Sequence, residues 1–590
     1  MSPLPNPGAI DQRGSAIRLS HIPVQLACGA AVMVSRVLYV SRYAAALPFW
    51  DQWNAEIDQL FKPIAQHHFD WGVLVAPYNE HRILFTRVLS LMLWQGNARV
   101  FDNRVECYAN VALVVAMYAV FTWLLHHRTS SNLAKIMVPA LLALVLCLPI
   151  DWENFLVGFQ SSFYFTGIAT LLVFGLLTRE RFTWRDWLPA CILALASLFT
   201  MATGLLTAVI ACALAIWRSL RSPVHRFPWA ALPFAAIVVF GVAMQTRCES
   251  CAVHSDWATH AAVLRLVLGW PALRPDGLLF LIPWLPLVAT FPVVRKRLLE
   301  RPGAAFPLAL AAWSLLAVCS IAVARDALAT RYAVVLVFGL LANGILACEL
   351  AQAKAASWRL GIAVIFAAYA VVALVTRTGR DTRAMVNRYA FSRVETLRVL
   401  LFERTHDAAA LRAPDRLQIP YHDPWQLGAW LVEPEVLALL PSPFNLRNAA
   451  APLSRGAEWL QQTTRHSWRS QATSLRLVRH MVGIDSSLSC RVDFVDDHAS
   501  RKEVELTVGD PLILTGTEGP RHSGRVQVQL RGDQSYAVDA VIGFDEHGVV
   551  AISDNAPPPG HYSVLFVTDG ARACDTGVRL TVRAQPVDKP

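Results

Sequence analysis

Charge is what this sequence is short of. Asp, Glu, Lys and Arg make up 16% of its 590 residues against 55% hydrophobic residues, and the mean hydropathy is +0.39. Soluble domains carry about 25% charged residues, so a soluble globular protein is excluded and a polytopic membrane protein is implied. The net charge of +10 sits mostly between apolar runs, where orientation in the membrane accounts for it, and nucleic acid is set aside as a partner. Residues 1–20 lack a small-residue cleavage pattern after a short apolar core, so the first apolar segment is expected to be an uncleaved anchor with a cytoplasmic N-terminus. No internal repeat is present. The C-terminal part has neither a nucleophile constellation nor a glycine-rich phosphate loop.

What is there is a series of apolar runs near 22–40, 105–125, 136–150, 163–177, 188–201, 205–217, 229–244, 278–294, 304–323, 332–350 and 360–375. That makes about 11 crossings. Arginine triplets on either side of 188–217 mark it as a hairpin with its tip at 200–204. Residues 83–94 would either cross or lie along the membrane. Lys and Arg favour the inner face if they lie along it, because Arg128, Lys135, both triplets, the basic cluster 295–301, Lys354 and Arg359 then fall inside. The outward loops become 41–104, 151–162, 200–204, 245–277 and 324–331. Arg36, inside the first span, is expected to snorkel or to face a neighbouring helix.

Beyond 375 the character changes. Residues 376–484 read as an Arg-rich helical stalk and a connector containing Pro and Trp. From 485 to 590, about seven alternating segments such as KEVELTVGD and RVQVQLRGD suggest an antiparallel β-sandwich, placed outside by parity. Most of the 11 cysteines sit singly in apolar runs. Cys490 and Cys574 flank the β-domain and are the natural disulfide pair on an oxidising face.

Chemistry concentrates in Pro48 to Arg87, PFWDQWNAEIDQLFKPIAQHHFDWGVLVAPYNEHRILFTR. Asp51, between Trp50 and Trp53 just beyond the first span, reads either as a partly desolvated general base or as a solvated carboxylate in an interfacial aromatic belt. Asp151 and Glu153 open the second outward loop. They would share one divalent ion, with Asp51 as a third ligand, or would simply solvate a helix end.

These features resemble the GT-C superfamily of integral-membrane glycosyltransferases. The likeness consists of an aspartate in a long first outward loop that also holds an amphipathic helix, together with a D-x-E motif in the second outward loop. It covers 21–375 as architecture. The D-x-E motif is similar to the metal-binding pattern of oligosaccharyltransferase catalytic subunits, whereas the acceptor motif WWD is absent, which argues against transfer to protein asparagine. The resemblance implies a polyprenyl-phosphate sugar donor, a glycan or glycolipid acceptor and transfer at the outer face of a bacterial inner membrane. Asp51, with Glu56 beside it, becomes the catalytic candidate, and Asp151 and Glu153 hold a divalent cation, Mg or Mn, if one is used.

For phosphate, the sequence offers His81 and Arg82 in NEHR and Arg325, Arg331 and Tyr332 in ARDALATRY. Guanidinium forks suit phosphate, while a lipid headgroup contact or a salt bridge to Asp326 is the plain alternative. Cys248, Cys251, His254 and His260 have a spacing that matches no standard zinc finger. Three rival functions stay open: a surface-polysaccharide polymerase or ligase, a lipid-linked sugar transporter or flippase, and a non-catalytic assembly protein.

Overall fold

The computed structural model describes residues 21–221, 228–246, 257–291, 302–325, 327–352, 357–412 and 416–465 in continuous stretches and, between 475 and 584, ten strands with the residues beside them. The chain forms two compact units that cut across its linear order. One takes the described residues of 1–40, 70–91 and 106–382; the other takes those of 41–69, 92–105 and 383–590.

The chain is mostly helical. Among the described residues six helices are long and apolar enough to cross a membrane: His21–Tyr43, Asn103–Arg128, Gly158–Leu177, Pro302–Ala324, Thr330–Gln352 and Ser357–Thr405. A seventh is possible by joining Asn132–Cys147 to Pro149–Leu156 across a bend of 53°. The apolar runs had suggested about 11. The difference lies in runs that fold as shorter helices, as 188–217 does. It divides into Trp184–Ser197 (14 residues) and Gly204–Arg221 (18 residues), roughly 21 and 27 Å long at 1.5 Å per residue, below the ~30 Å of a hydrocarbon core. The break between them is specific for glycine, since a Cβ on Gly204 would lie 1.8 Å from the Ser197 carbonyl oxygen. Leu84–Gly96 has 13 residues, too few to cross. Trp257–Leu268 is an additional apolar helix within the stretch read as an outward loop.

Packing in the first unit centres on the helix Ala333–Gln352, which is apolar on every face, as a helix enclosed by others must be. It packs against Ala305–Ala324 and Asn132–Cys147. Small hydroxyls join neighbouring helices where no aqueous competitor exists: Thr166 donates to Thr200 at 2.7 Å, the Thr170 and Thr207 hydroxyls lie 2.7 Å apart, and the Trp313 indole donates to Thr207 at 3.1 Å.

In the second unit the early segments fold with the connector. Trp53–Phe61 is a π-helix. Trp53 stacks on Trp430 with centroids 5.9 Å apart, Lys62 pairs with Glu433 at 2.6 Å, and Asn54 donates to the Tyr421 hydroxyl at 2.9 Å. The strands are β1 (Arg476–Val478), β2 (Cys490–Val495), β3 (His498–Ala499), β4 (Glu503–Thr507), β5 (Leu512–Glu518), β6 (Val526–Arg531), β7 (Ser535–Ile542), β8 (Gly548–Ser553), β9 (Gly560–Thr568) and β10 (Arg572–Arg583). Their order is β3-β2-β5-β8-β7-β6-β9-β10-β4, with β1 on β7. Three of the ten were not separable in the sequence: β1 precedes 485, β3 has two residues, and β8 follows β7 closely. The pairing is antiparallel except for β4 on β10, which is parallel. A parallel neighbour needs a long crossover, and here the chain carrying β5 to β9 supplies it.

Alternation makes one face of these strands a core, with Val526, Val528 and Leu530 packed among Val564, Phe566 and Leu580. On β5 and β8 the opposite face also carries apolar residues, and Ile513, Val550 and Ile552 pack on Ala390, Phe391 and Val394 of the long helix. Cys490 and Cys574 are joined as a disulfide.

Candidate functional site

In the first unit, parts of all five stretches read as outward loops meet. The meeting point is the NEHR turn. Tyr78 and His81 exchange backbone hydrogen bonds of 2.7 and 3.0 Å, and the turn closes through Asn79 at φ +49°, a left-handed conformation that Asn tolerates better than most residues. The turn projects Glu80 and His81. Glu80 forms an ion pair with Arg325, whose Nε donates to the Tyr332 hydroxyl at 2.8 Å. Ala202 donates its backbone N–H to His81 Nδ1 at 3.2 Å. Nε2 of the same ring lies 3.5 Å from the Glu80 carboxylate. Thr246 donates to the Asn79 carbonyl at 3.0 Å.

The 151–156 segment holds the other end of the last loop. Glu153 accepts the Arg331 N–H at 2.9 Å and Asn154 donates to the Arg331 carbonyl at 2.8 Å. The Arg331 backbone is thereby clamped while its guanidinium lies 5.7 Å from the Tyr332 ring. Burial opposes ionisation of Glu80, but His81, a backbone hydrogen bond and Arg325 outweigh it and hold the carboxyl below the usual range. Arg82 turns away from this cluster and donates to the Val75 carbonyl at 2.7 Å. Fully buried Arg87 donates to the carbonyls of Val73 and Ala76 and so fixes the turn that precedes NEHR.

Asp151 and Glu153 diverge. Residues two apart near the start of a helix point roughly 200° from one another at about 100° per residue. Asp151 goes inward, where Arg36 Nη2 reaches its Oδ1 at 2.6 Å and the Tyr164 hydroxyl lies 3.4 Å from its Oδ2. Arg36 is 0% exposed and also sits 4.3 Å from the centroid of Phe155. Of the two outcomes expected for Arg36, it faces neighbouring helices. Since one carboxylate binds a guanidinium and the other a backbone N–H, the pair does not fit a shared Mg or Mn ion. Among the described residues no three His, Cys, Asp or Glu side chains converge as a metal site.

In the second unit Asp51 is half-buried at the start of the π-helical segment, next to Trp50 at φ +47°. Asp51, Asp58 and Asp423 surround Tyr421; burial first, then these charges, push its phenol up despite the hydrogen bond from Asn54. Glu56 is 0% exposed within the π-helix. Asp51, by contrast, is partly exposed, and a general acid or base must be able to reach its substrate. Cys248, Cys251, His254 and Asp326 lie outside the described residues, and His260 is 3.0 Å from the Ala322 carbonyl.

Two partners escaped the sequence reading. Glu80 was visible only as one of several loop carboxylates, and Arg36 only as an awkward charge in a span; nothing local pointed to Arg325 or Asp151 as their counterparts. No protein-family model matches the chain, and no curated protein matches it.

Proposed function

We propose that the protein is a GT-C-like glycosyltransferase of a bacterial inner membrane, taking sugar from a polyprenyl-phosphate donor to a glycan or glycolipid acceptor at the outer face. The observation that carries this reading is the Glu80–Arg325–Tyr332 cluster, in which an arginine fork is prepared at the end of a helical bundle by groups from separate loops. A fork of this kind suits a phosphate, whose oxygens would take the place of the Glu80 carboxylate. A carboxylate base takes the acceptor hydroxyl's proton as its oxygen bonds to the anomeric carbon; Asp51 is the candidate for that base through the resemblance alone. The bond from that carbon to the phosphate oxygen breaks with inversion, and Arg325, assisted by Arg331, neutralises the departing phosphate. In this reading the C-terminal strands form a β-sandwich on the outer side.

One observation favours transport instead. Arg36 with Asp151 and Arg377 with Asp381 (2.9 Å) are buried ion pairs, and charges buried in spans commonly line translocation pathways. Each of these charges has its partner, which suits a structural role at least as well.

The test is mass spectrometry of lipid-linked and surface glycans from cells carrying Asp51→Ala, Arg325→Gln, a deletion or the wild type, at matched membrane levels. Loss of one defined sugar in the deletion and in both variants supports transfer. Unchanged glycans in the deletion strain sink it, and intact but inward-facing lipid-linked sugars would move transport ahead.

A further inference from the structure

The second unit contains a cavity of about 350 Å³ that the reading above does not use. Its walls come from the end of the first helix, the long helix, the Pro452–Arg465 helix and β5. That volume falls in the usual range of about 300–1,000 Å³ for small-molecule sites. Three guanidinium groups line it: those of Arg42, Arg104 and Arg393. Arg104 is locked, with Nη2 2.7 Å from Asp102 Oδ2 and Nη1 donating to Gln461 at 3.0 Å, so its charge is largely cancelled. Arg42 stands over Tyr389, 5.6 Å from the ring centroid. Arg393 forms no ion pair among the described residues. Against these, the wall contributes a single carboxylate, exposed Glu458.

The balance is positive, and a concave site focuses that potential on whatever enters. Arginine forks take carboxylate or phosphate. Beside them, the Ser392 hydroxyl donates to the Tyr389 carbonyl and keeps its acceptor lone pairs, Gln461 is held between Arg104 and the Ala44 carbonyl, and the Tyr389 ring adds an aromatic surface. This combination suits a compact ring with several hydroxyls and one anionic group. We propose that the cavity binds an acidic saccharide, a sugar carrying a carboxylate or a phosphate, with Arg393 as its main anion ligand. This proposal stands independently of the sugar-transfer reading.

Full-length protein in neutral detergent is titrated calorimetrically with glucuronate, glucose 6-phosphate, glucose and inorganic phosphate. The two acidic sugars should bind saturably and at least about tenfold more tightly than glucose or phosphate, and Arg393→Gln should weaken them by about tenfold or more, as loss of one charge-assisted pair does. Arg393→Lys should retain part of the affinity, and Glu458→Gln should tighten it. Ala45→Trp, at the cavity wall, should abolish binding; it provides a second route should Arg393→Gln not elute as folded protein. Phosphate binding as tightly as glucose 6-phosphate would reduce the cavity to a simple anion site and overturn the proposal. So would glucose matching glucuronate, no binding of either acid, or affinity unchanged in both Arg393→Gln and Ala45→Trp.

Discussion

Glu80 and Arg325 form an ion pair between segments separated by 245 residues, and the Nε of the same guanidinium donates to the Tyr332 hydroxyl. On the transferase reading the carboxylate occupies the position that an anionic substrate group would take. On that reading, Glu80→Gln should therefore release the fork and lower the donor KM, whereas Arg325→Gln should raise it by about tenfold or more. Kinetics with a lipid-phosphate sugar at saturating acceptor decide this. A KM unmoved by both substitutions removes Arg325 from phosphate recognition.

The same pair sets an acid limit. The folded Glu80 carboxyl titrates below its ordinary value, so its contribution to stability is complete above the unfolded pKa of about 4.3 and disappears as pH falls through the lower folded value. Thermal unfolding in detergent from pH 7 down to about 3 should show a steeper acid limb for wild type than for Glu80→Gln. Parallel curves would mean that the pair contributes nothing.

Arg36 and Asp151 are buried together. Removing one partner leaves an uncompensated charge, at a cost of about 3–5 kcal/mol, while replacing both with apolar residues of similar volume is often neutral. Arg36→Met and Asp151→Leu should each lower the unfolding temperature sharply, and the double variant should recover much of the loss. Additive losses in the double variant would show that other contacts of these residues matter more than the pair.

Gly204→Ala tests the break in the 188–217 run. The added methyl would meet the Ser197 carbonyl at 1.8 Å, and overpacking of this kind typically costs about 1–3 kcal/mol. A lower unfolding temperature with unchanged expression is the expected result; an unchanged value would mean that the helix ends separate freely.

The Cys490–Cys574 bridge spans 84 residues, and a loop of that size corresponds to about 4–5 kcal/mol in the chain-entropy account. Replacing both with Ser should expose the β-domain to limited proteolysis. Mobility of the native protein on non-reducing gels, compared with reduced samples, reports whether the bond forms in cells.

Local chemistry was legible in the chain itself. Apolar runs, strand alternation and the paired positions of Cys490 and Cys574 depend on residue type and short spacing, so the sequence alone determined a mostly helical membrane part followed by a β-rich one. The number of crossings was less legible: flanking arginines marked the tip of the 188–217 run, but not how short the helices on either side would be, 14 and 18 residues. Tertiary structure alone decided the partners. Asp151 and Glu153 look equivalent in sequence, yet their helical phase sends one to Arg36 and the other to the Arg331 N–H. The assignment of 41–69 and 92–105 to the C-terminal unit arose the same way, through contacts such as Trp53 with Trp430 and Asn97 with Ser454 at 2.9 Å. Contacts between residues hundreds of positions apart leave no local pattern, because any carboxylate and any arginine are chemically acceptable partners until packing selects one pair.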